Sequence, residues 1–218
     1  MYVVKTPWWL RSLYPSLIWR LNSTEKVIYL TFDDGPHVTA TPFVLDLLMN
    51  YKAKATFFCI GKNVRQHQEI YKRIISEGHA VGNHTENHAN GWKVIKEQYL
   101  QEISEAANCI DSNLFRPPYG RIKRSQIKSL KKSNSINPTN QKSLLPHNII
   151  MWDVLSGDFD VQLSPENCCS NVLSNVQPGS IIVFHDSAKA WERMAYALPK
   201  VLDHFTKLGY RFDKIVLP

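Results

Sequence analysis

Short apolar runs alternate along this chain with amphipathic stretches of helical periodicity. Apolar runs predict strands at 26–32, 55–61, 148–154 and 180–186, the first two of them buried. A short strand is predicted at 80–84, a strand with a turn at 114–120 and a last strand at 211–217. Helical spacing of apolar positions predicts helices over 41–52, 69–79, 99–113, a basic stretch after 120, a stretch from about 165 and 191–208. In the first of these helices Thr41 is the predicted N-cap. Regular alternation of strand and helix predicts an α/β fold of parallel strands joined by helical crossovers.

Composition and charge narrow the function classes. The chain has 218 residues, enough for one well-buried domain, and a formal net charge of +7. Much of the positive surplus lies between Arg116 and Lys142. A basic helix there could contact nucleic acid, an anionic envelope polymer or only water; the solvated face is favoured, and no nucleic-acid-binding motif supports that partner.

The first 23 residues form an aromatic extension ahead of a domain that we place at 24–218. Pro7, Arg11, Pro15 and Arg20 interrupt its apolar runs, and no small-residue cleavage site follows. We therefore expect residues 1–21 to remain on the protein, either packed on the domain or in peripheral contact with a membrane. With no visible export signal or membrane span, a cytoplasmic or membrane-peripheral location is expected.

Candidate catalytic residues stand where predicted strands end, the edge at which parallel α/β folds assemble their sites. Asp33 and Asp34 follow the first strand, and two adjacent carboxylates can divide metal binding from proton abstraction. His84 and His88 follow the third strand, and their spacing predicts one face of a helical turn, able to grip one cation. Two histidines and one aspartate leave room for water, the open arrangement of a catalytic zinc site.

Two further motifs complete the set. In RPPYG, which begins at Arg116, paired prolines fix the backbone and leave the following amide free to stabilise an oxyanion. His185 ends the apolar run IIVFH, where partial desolvation suits a general acid. Each motif alone also fits a plain turn or a core histidine, so the case depends on their combination.

In this order the motifs TFDDGP, HTENH, RPPYG, WDVLSGDF and VFHD resemble those of the NodB-like polysaccharide deacetylases, carbohydrate esterase family 4. The resemblance covers residues 31–186 and implies an irregular (β/α) barrel with fewer than eight strands. It also implies metal-dependent removal of N- or O-acetyl groups from a sugar polymer or oligomer. The implied metal is most often Zn²⁺, with Co²⁺ or Ni²⁺ possible.

The resemblance also assigns roles to residues. The implied metal ligands are Asp34, His84 and His88. The implied catalytic residues are Asp33 as base, Arg116 holding it, the Tyr119 backbone amide as oxyanion donor and His185 as general acid.

The fourth motif departs from the family pattern. Leu155 stands where the family has an aspartate that tunes the acid histidine, and Phe159 replaces a tryptophan. Asp158 could take over the orienting role, or it could merely cap a turn after Gly157. Val183 replaces a leucine in the pocket for the acetyl methyl group.

Other expectations remain open at this level. The stretch 133–148 is longer than the usual helix-to-strand link, and we interpret it as a neutral insertion rather than a substrate-contacting loop. Two other functions compete with the polysaccharide deacetylase: a related amide or ester hydrolase of small or lipid-linked substrates, and an inactive carbohydrate-binding protein. Substrate identity, N- against O-deacetylation and oligomeric state do not follow from the sequence.

Overall fold

A computed structural model describes residues 2–133 and 145–217. Its strands are β1 (Val27–Asp33), β2 (Ala55–Cys59), β3 (Ala80–Asn83), β4 (Leu114–Phe115), β5 (Asn148–Ile149), β6 (Val154–Leu155), β7 (Ile181–His185) and β8 (Arg211–Phe212). Its α-helices are α1 (Trp8–Leu13), α2 (Ala40–Asn50), α3 (Gly61–Gln66), α4 (Gln68–Ser76), α5 (Lys96–Ala107), α6 (Arg124–Ser133), α7 (Pro165–Leu173) and α8 (Trp191–Lys207). A 3₁₀ turn spans Pro118–Gly120.

All the strand pairs are parallel, and seven strands follow the order β5-β4-β3-β2-β1-β7-β6. The two-residue strand β8 pairs with the start of β1, off this path. Helices connect most successive strands, so the parallel α/β prediction is confirmed, as is the irregular barrel whose curled sheet has fewer than eight strands in its path. Sheet residues such as Leu30, Phe57 and Phe184 are fully buried between the helices and form the main core. No described helix has the length and apolarity needed to cross a bilayer.

Residues 2–21, here called the arm, pair with both edges of this sheet. The Ile18 amide donates to the Ile149 carbonyl at 2.9 Å, beside edge strand β5. The Leu155 amide of the opposite edge strand, β6, donates to the Val4 carbonyl at 2.8 Å. The arm thus lies where the two edges of the open barrel approach each other, packed on the rest of the protein.

The strand predicted at 148–154 is wrong in one respect, because the structure divides it into β5 and β6. Between them the Met151 amide donates to the Ile18 carbonyl in the arm, at 2.7 Å, instead of to a sheet neighbour. β5 pairs with β4 and β6 with β7, so this one apolar run supplies both edges of the sheet. The last predicted strand is also shorter, limited to β8, and most of the 133–148 insertion lies outside the described residues.

Candidate active site at the carboxyl ends of the strands

The predicted site residues gather at one edge of the sheet. Asp33 and His185 are the last residues of the neighbouring strands β1 and β7, and their Cα positions are in register. A cleft of about 810 Å³ opens over this edge. Its walls include six of the predicted residues: Asp33, Asp34, His84, His88, Tyr119 and His185. The other two, Arg116 and Asp158, are fully buried behind it.

Asp34, His84 and His88 form one cluster. Their candidate ligand atoms all lie within 4.8 Å of one another. Asp34 Oδ1 is 3.7 Å from His84 Nε2 and 3.1 Å from His88 Nε2. The predicted helical turn is wrong, however: residues 84–88 form a loop in which Thr85 and His88 have positive φ, 66° and 57°. Two left-handed residues, rather than helical periodicity, turn both rings toward Asp34.

Two hydrogen-bond acceptors, one on His84 and one on Asp34, face each other in this cluster. His84 Nδ1 is 2.7 Å from the Arg116 carbonyl oxygen, which can only accept, so Nδ1 carries the proton. Burial lowers the pKa of His84 to about 4, so the ring is neutral and Nε2 presents a lone pair. Asp34 Oδ1 is buried and receives no well-oriented hydrogen bond. A lone pair and a carboxylate oxygen directed at one another suit a cation between them, and a His₂Asp donor set matches zinc.

Charge around Asp34 keeps it ionised. Burial by itself would raise the pKa of this carboxyl group. The contact with His88 and the positive charge of His185 outweigh burial and hold the pKa of Asp34 well below its usual range. The carboxylate is therefore available as an anionic ligand throughout the physiological pH range.

Asp33 is held by a buried arginine. Arg116 Nη1 donates to Asp33 Oδ1 at 2.7 Å and to Thr31 Oγ1 at 2.6 Å. Arg116 Nη2 donates to the Met151 carbonyl at 2.9 Å, and the guanidinium lies 4.1 Å from the centre of the Phe58 ring. A planar cation fixed from several sides presents one geometry to the carboxylate, so the position of Asp33 is set by groups from several strands.

Asp158 and His185 form a second pair. Asp158 Oδ1 lies 2.7 Å from His185 Nδ1, and Oδ2 accepts a hydrogen bond from the His185 backbone amide at 2.6 Å. Burial by itself would lower the pKa of His185, but the charge and hydrogen bond of Asp158 raise it to about 10. The imidazole is thus held as a cation, and Nε2 is the ring nitrogen left for a substrate.

Tyr119 closes the side of the cleft next to His88. Its φ is 60°, and its hydroxyl oxygen is 3.1 Å from His88 Nδ1. Leu155 of β6 and Val183 of β7, the strand that ends in His185, also line the cleft and add apolar surface. The cleft therefore combines polar and charged side chains with an apolar wall.

Sequence reasoning missed Asp186, the residue after His185. It is fully buried, and its carboxylate accepts hydrogen bonds from Gly35 N at 3.1 Å and Thr41 Oγ1 at 2.5 Å. The predicted N-cap role of Thr41 is wrong, because Thr39 precedes α2 and Thr41 lies inside it, bonded to Asp186. Burial raises the pKa of Asp186 to about 8. The sequence signal that could have indicated it is the aspartate directly after His185 in the motif VFHD.

Comparison with known proteins agrees with this geometry. The sequence pattern of a family described as polysaccharide deacetylase matches residues 20–135. A peptidoglycan-N-acetylglucosamine deacetylase of Bacillus cereus is 34% identical over 200 residues, which cover 89% of this chain and 88% of that protein. A chitooligosaccharide deacetylase of Azorhizobium caulinodans is 35% identical, over 77% of each chain.

A solved structure extends the agreement to the whole fold. The crystal structure of the Bc1960 peptidoglycan N-acetylglucosamine deacetylase, bound to a naphthyl-substituted N-oxidanyl-benzamide, superimposes with a TM-score of 0.83. The two chains are 31% identical, and the match covers 96% of this chain and 95% of that one. Family pattern, relatives and fold coincide, and the chain belongs to the polysaccharide deacetylases, carbohydrate esterase family 4.

Proposed function

We propose that this protein is a metal-dependent deacetylase that hydrolyses N-acetyl groups on a peptidoglycan-like glycan. The observation that carries the proposal is the pair of facing acceptors, His84 Nε2 and Asp34 Oδ1, at the floor of the cleft. Asp34, His84 and His88 would hold the metal, and Zn²⁺ fits this donor set best. When bound, the metal would polarise the acetyl carbonyl and lower the pKa of a water molecule.

Asp33 is the proposed base. Arg116 fixes its carboxylate through Oδ1, so the attacking water meets an acceptor that does not rotate away. Asp33 and Asp34 are adjacent but differently held, since Arg116 bonds one and the two histidines flank the other. This difference supports separate roles in proton abstraction and ligation.

His185 is the proposed acid. Asp158 occupies Nδ1, which leaves Nε2 to donate a proton to the departing nitrogen or oxygen of the sugar. The backbone amide of Tyr119 would donate a hydrogen bond to the oxyanion, and Leu155 and Val183 would contact the acetyl methyl group.

Charge on the cleft walls favours an acidic glycan. Besides the carboxylates of Asp33 and Asp34, the charged Lys and Arg residues that line the cleft are Lys93, Arg121 and Lys189. Arg121 also lies over the Trp92 ring, 4.1 Å from its centre. Peptidoglycan carries carboxylates on its stem peptides, and on any lactyl group that bears no peptide, whereas a chitooligosaccharide is uncharged. Cations around the cleft would therefore favour the peptidoglycan substrate.

The deciding experiment measures acetate release from muropeptides, chitotetraose and acetylated xylan, with Zn²⁺ and after chelation. We expect activity that needs the metal and is highest on muropeptides. Arg121→Gln should weaken muropeptide turnover and leave chitotetraose turnover unchanged, while Lys62→Gln, an exposed cation outside the cleft, serves as the matched control. No acetate from any substrate with metal present would overturn the proposal; equal loss on both glycans would overturn only the role of charge.

A further inference from the structure

The tip of the arm reaches the loop that carries Asp158. This acid loop comprises residues 156–159. The Tyr2 ring packs on the Phe159 ring with 5.0 Å between centres, and the Phe159 ring packs in turn on the His185 ring at 5.4 Å. The Tyr2 hydroxyl oxygen lies 2.8 Å from the point that a Cβ on Gly157 would occupy. Tyr2 therefore contacts the acid loop on two residues that flank Asp158.

Other contacts hold the acid loop from strand β7 and from the helical side. From β7, the His185 amide donates to Asp158 Oδ2, and the Val183 carbonyl accepts from the Ser156 amide at 3.2 Å. Asn171 Nδ2, from α7, donates to the Ser156 carbonyl at 2.9 Å. Arg193 Nε, from α8, donates to the Asp158 carbonyl at 2.7 Å. Gly157 has a φ of 83°, which favours glycine, and a glycine contributes no side chain to the packing of the loop. Tyr2 supplies the contact on the cleft side, where it also forms part of the wall.

The arm is anchored well enough to transmit this contact. Asp153 is fully buried and binds Lys5 Nζ at 2.7 Å, together with the Arg11 guanidinium. The Thr6 amide donates to the Asp153 carbonyl at 2.9 Å, and the Val4 carbonyl accepts from the Leu155 amide. Two cations on one buried carboxylate, plus backbone pairing on both sides, fix the chain within two residues of Tyr2.

We propose that Tyr2 is a positioning residue, through which the arm holds Asp158 and Phe159 against the acid His185. The inference rests on the proposed function, since it takes His185 to be the acid. It makes the arm part of the catalytic unit. Loss of the Tyr2 ring leaves Phe159 unsupported and lets the acid loop shift, and displacement of about 1 Å at a catalytic group lowers turnover up to 100-fold.

The test compares Tyr2→Ala and Tyr2→Phe in the full-length, metal-loaded protein, with Val3→Ala as control because Val3 is 59% exposed. Tyr2→Ala should lower kcat at least tenfold with little change in KM. It should also shift the alkaline limb of the pH profile to lower pH. Tyr2→Phe keeps the ring and should recover most of kcat. Val3→Ala should match the wild type, and metal content should be equal in all four proteins.

A measurement independent of turnover separates this inference from the proposed function. The downfield ¹H resonance of His185 Nδ1–H, assigned by its loss in Asp158→Asn, should survive in Val3→Ala and broaden or shift in Tyr2→Ala. If Tyr2→Ala does not fold, Tyr2→Leu provides bulk without the flat ring and carries the same expectation. An unchanged resonance with unchanged kcat would overturn the inference, as would a loss confined to KM, which would make Tyr2 a substrate contact.

Discussion

Replacing Asp158 by asparagine tests the acid assignment most directly. The carboxylate raises the pKa of His185 from the ordinary value of 6.5 to about 10, so the wild-type ring is almost wholly protonated at pH 7.5. Without that charge, a ring with a pKa near 6.5 is about one-tenth protonated at pH 7.5. Burial lowers this pKa and the charges of Asp34 and Asp33 raise it, so the ordinary value of 6.5 serves as the reference for the variant.

The expected loss of kcat/KM therefore depends on pH. From the fraction protonated alone, Asp158→Asn should lose about tenfold at pH 7.5, about 300-fold at pH 9 and less than about twofold at pH 6. The assay is acetate release across pH 5.5 to 10 with the metal loading measured at each point. Asp203→Asn, which removes a half-exposed carboxylate on α8 that pairs with Lys207, is the control and should follow the wild-type profile.

The same pKa shift has a consequence for stability. Because the folded-state pKa of His185 is raised, the stabilisation is fully present below about pH 6.5 and is lost as the pH rises through about 10. Between these values Tm should fall more steeply in the wild type than in Asp158→Asn. A uniform loss of activity at every pH, with no movement of the alkaline limb, would refute the argument, since it would mean that Asp158 only shapes the loop.

Three other changes have expected outcomes. His84→Ala should abolish stoichiometric zinc binding, measured by elemental analysis, because it removes one of the three proposed ligands; wild-type metal content in the variant would exclude the site. Asp33→Asn should lower kcat by several orders of magnitude while metal content stays near that of the wild type, and joint loss of both would exchange the roles of the two carboxylates. Gly35→Ala should cost about 3 kcal/mol in urea unfolding, because its Cβ would lie 2.1 Å from Asp186 Oδ2; a cost below about 0.5 kcal/mol would show that this contact relaxes freely.

The sequence predicted the strands well where each run pairs with one sheet neighbour on each side. β1, β2 and β7 begin and end within two residues of the predicted runs, so Asp33 and His185 lie at strand ends as expected. The run 148–154 failed because its middle bonds to the arm, and the residues concerned, Ile18 and Met151, are far apart in the chain. No local pattern contains that pairing.

Within the site, residue types were easier to predict than backbone conformation. The spacing of His84 and His88 correctly predicts that the two rings lie close together. The predicted helical turn between them is wrong, because the segment is a loop. The left-handed conformations of Thr85 and His88 depend on contacts such as the bond from the Ala89 amide to Thr85 Oγ1, which periodicity does not encode. Asp186 was missed because a single acid after a histidine has no period and no partner nearby in sequence.

Because the arm is attached to a sheet edge formed late in the chain, it can pack there only late in synthesis. Lys5 and its partner Asp153 are separated by 148 positions. At a translation rate of about 5–20 residues per second, the arm waits roughly 7–30 s for its partner to be made. Closing a loop of that length is among the slow, entropically costly steps of folding. The contact between Tyr2 and Phe159 therefore forms only after most of the chain has been synthesised, so the surroundings of His185 are completed late in folding.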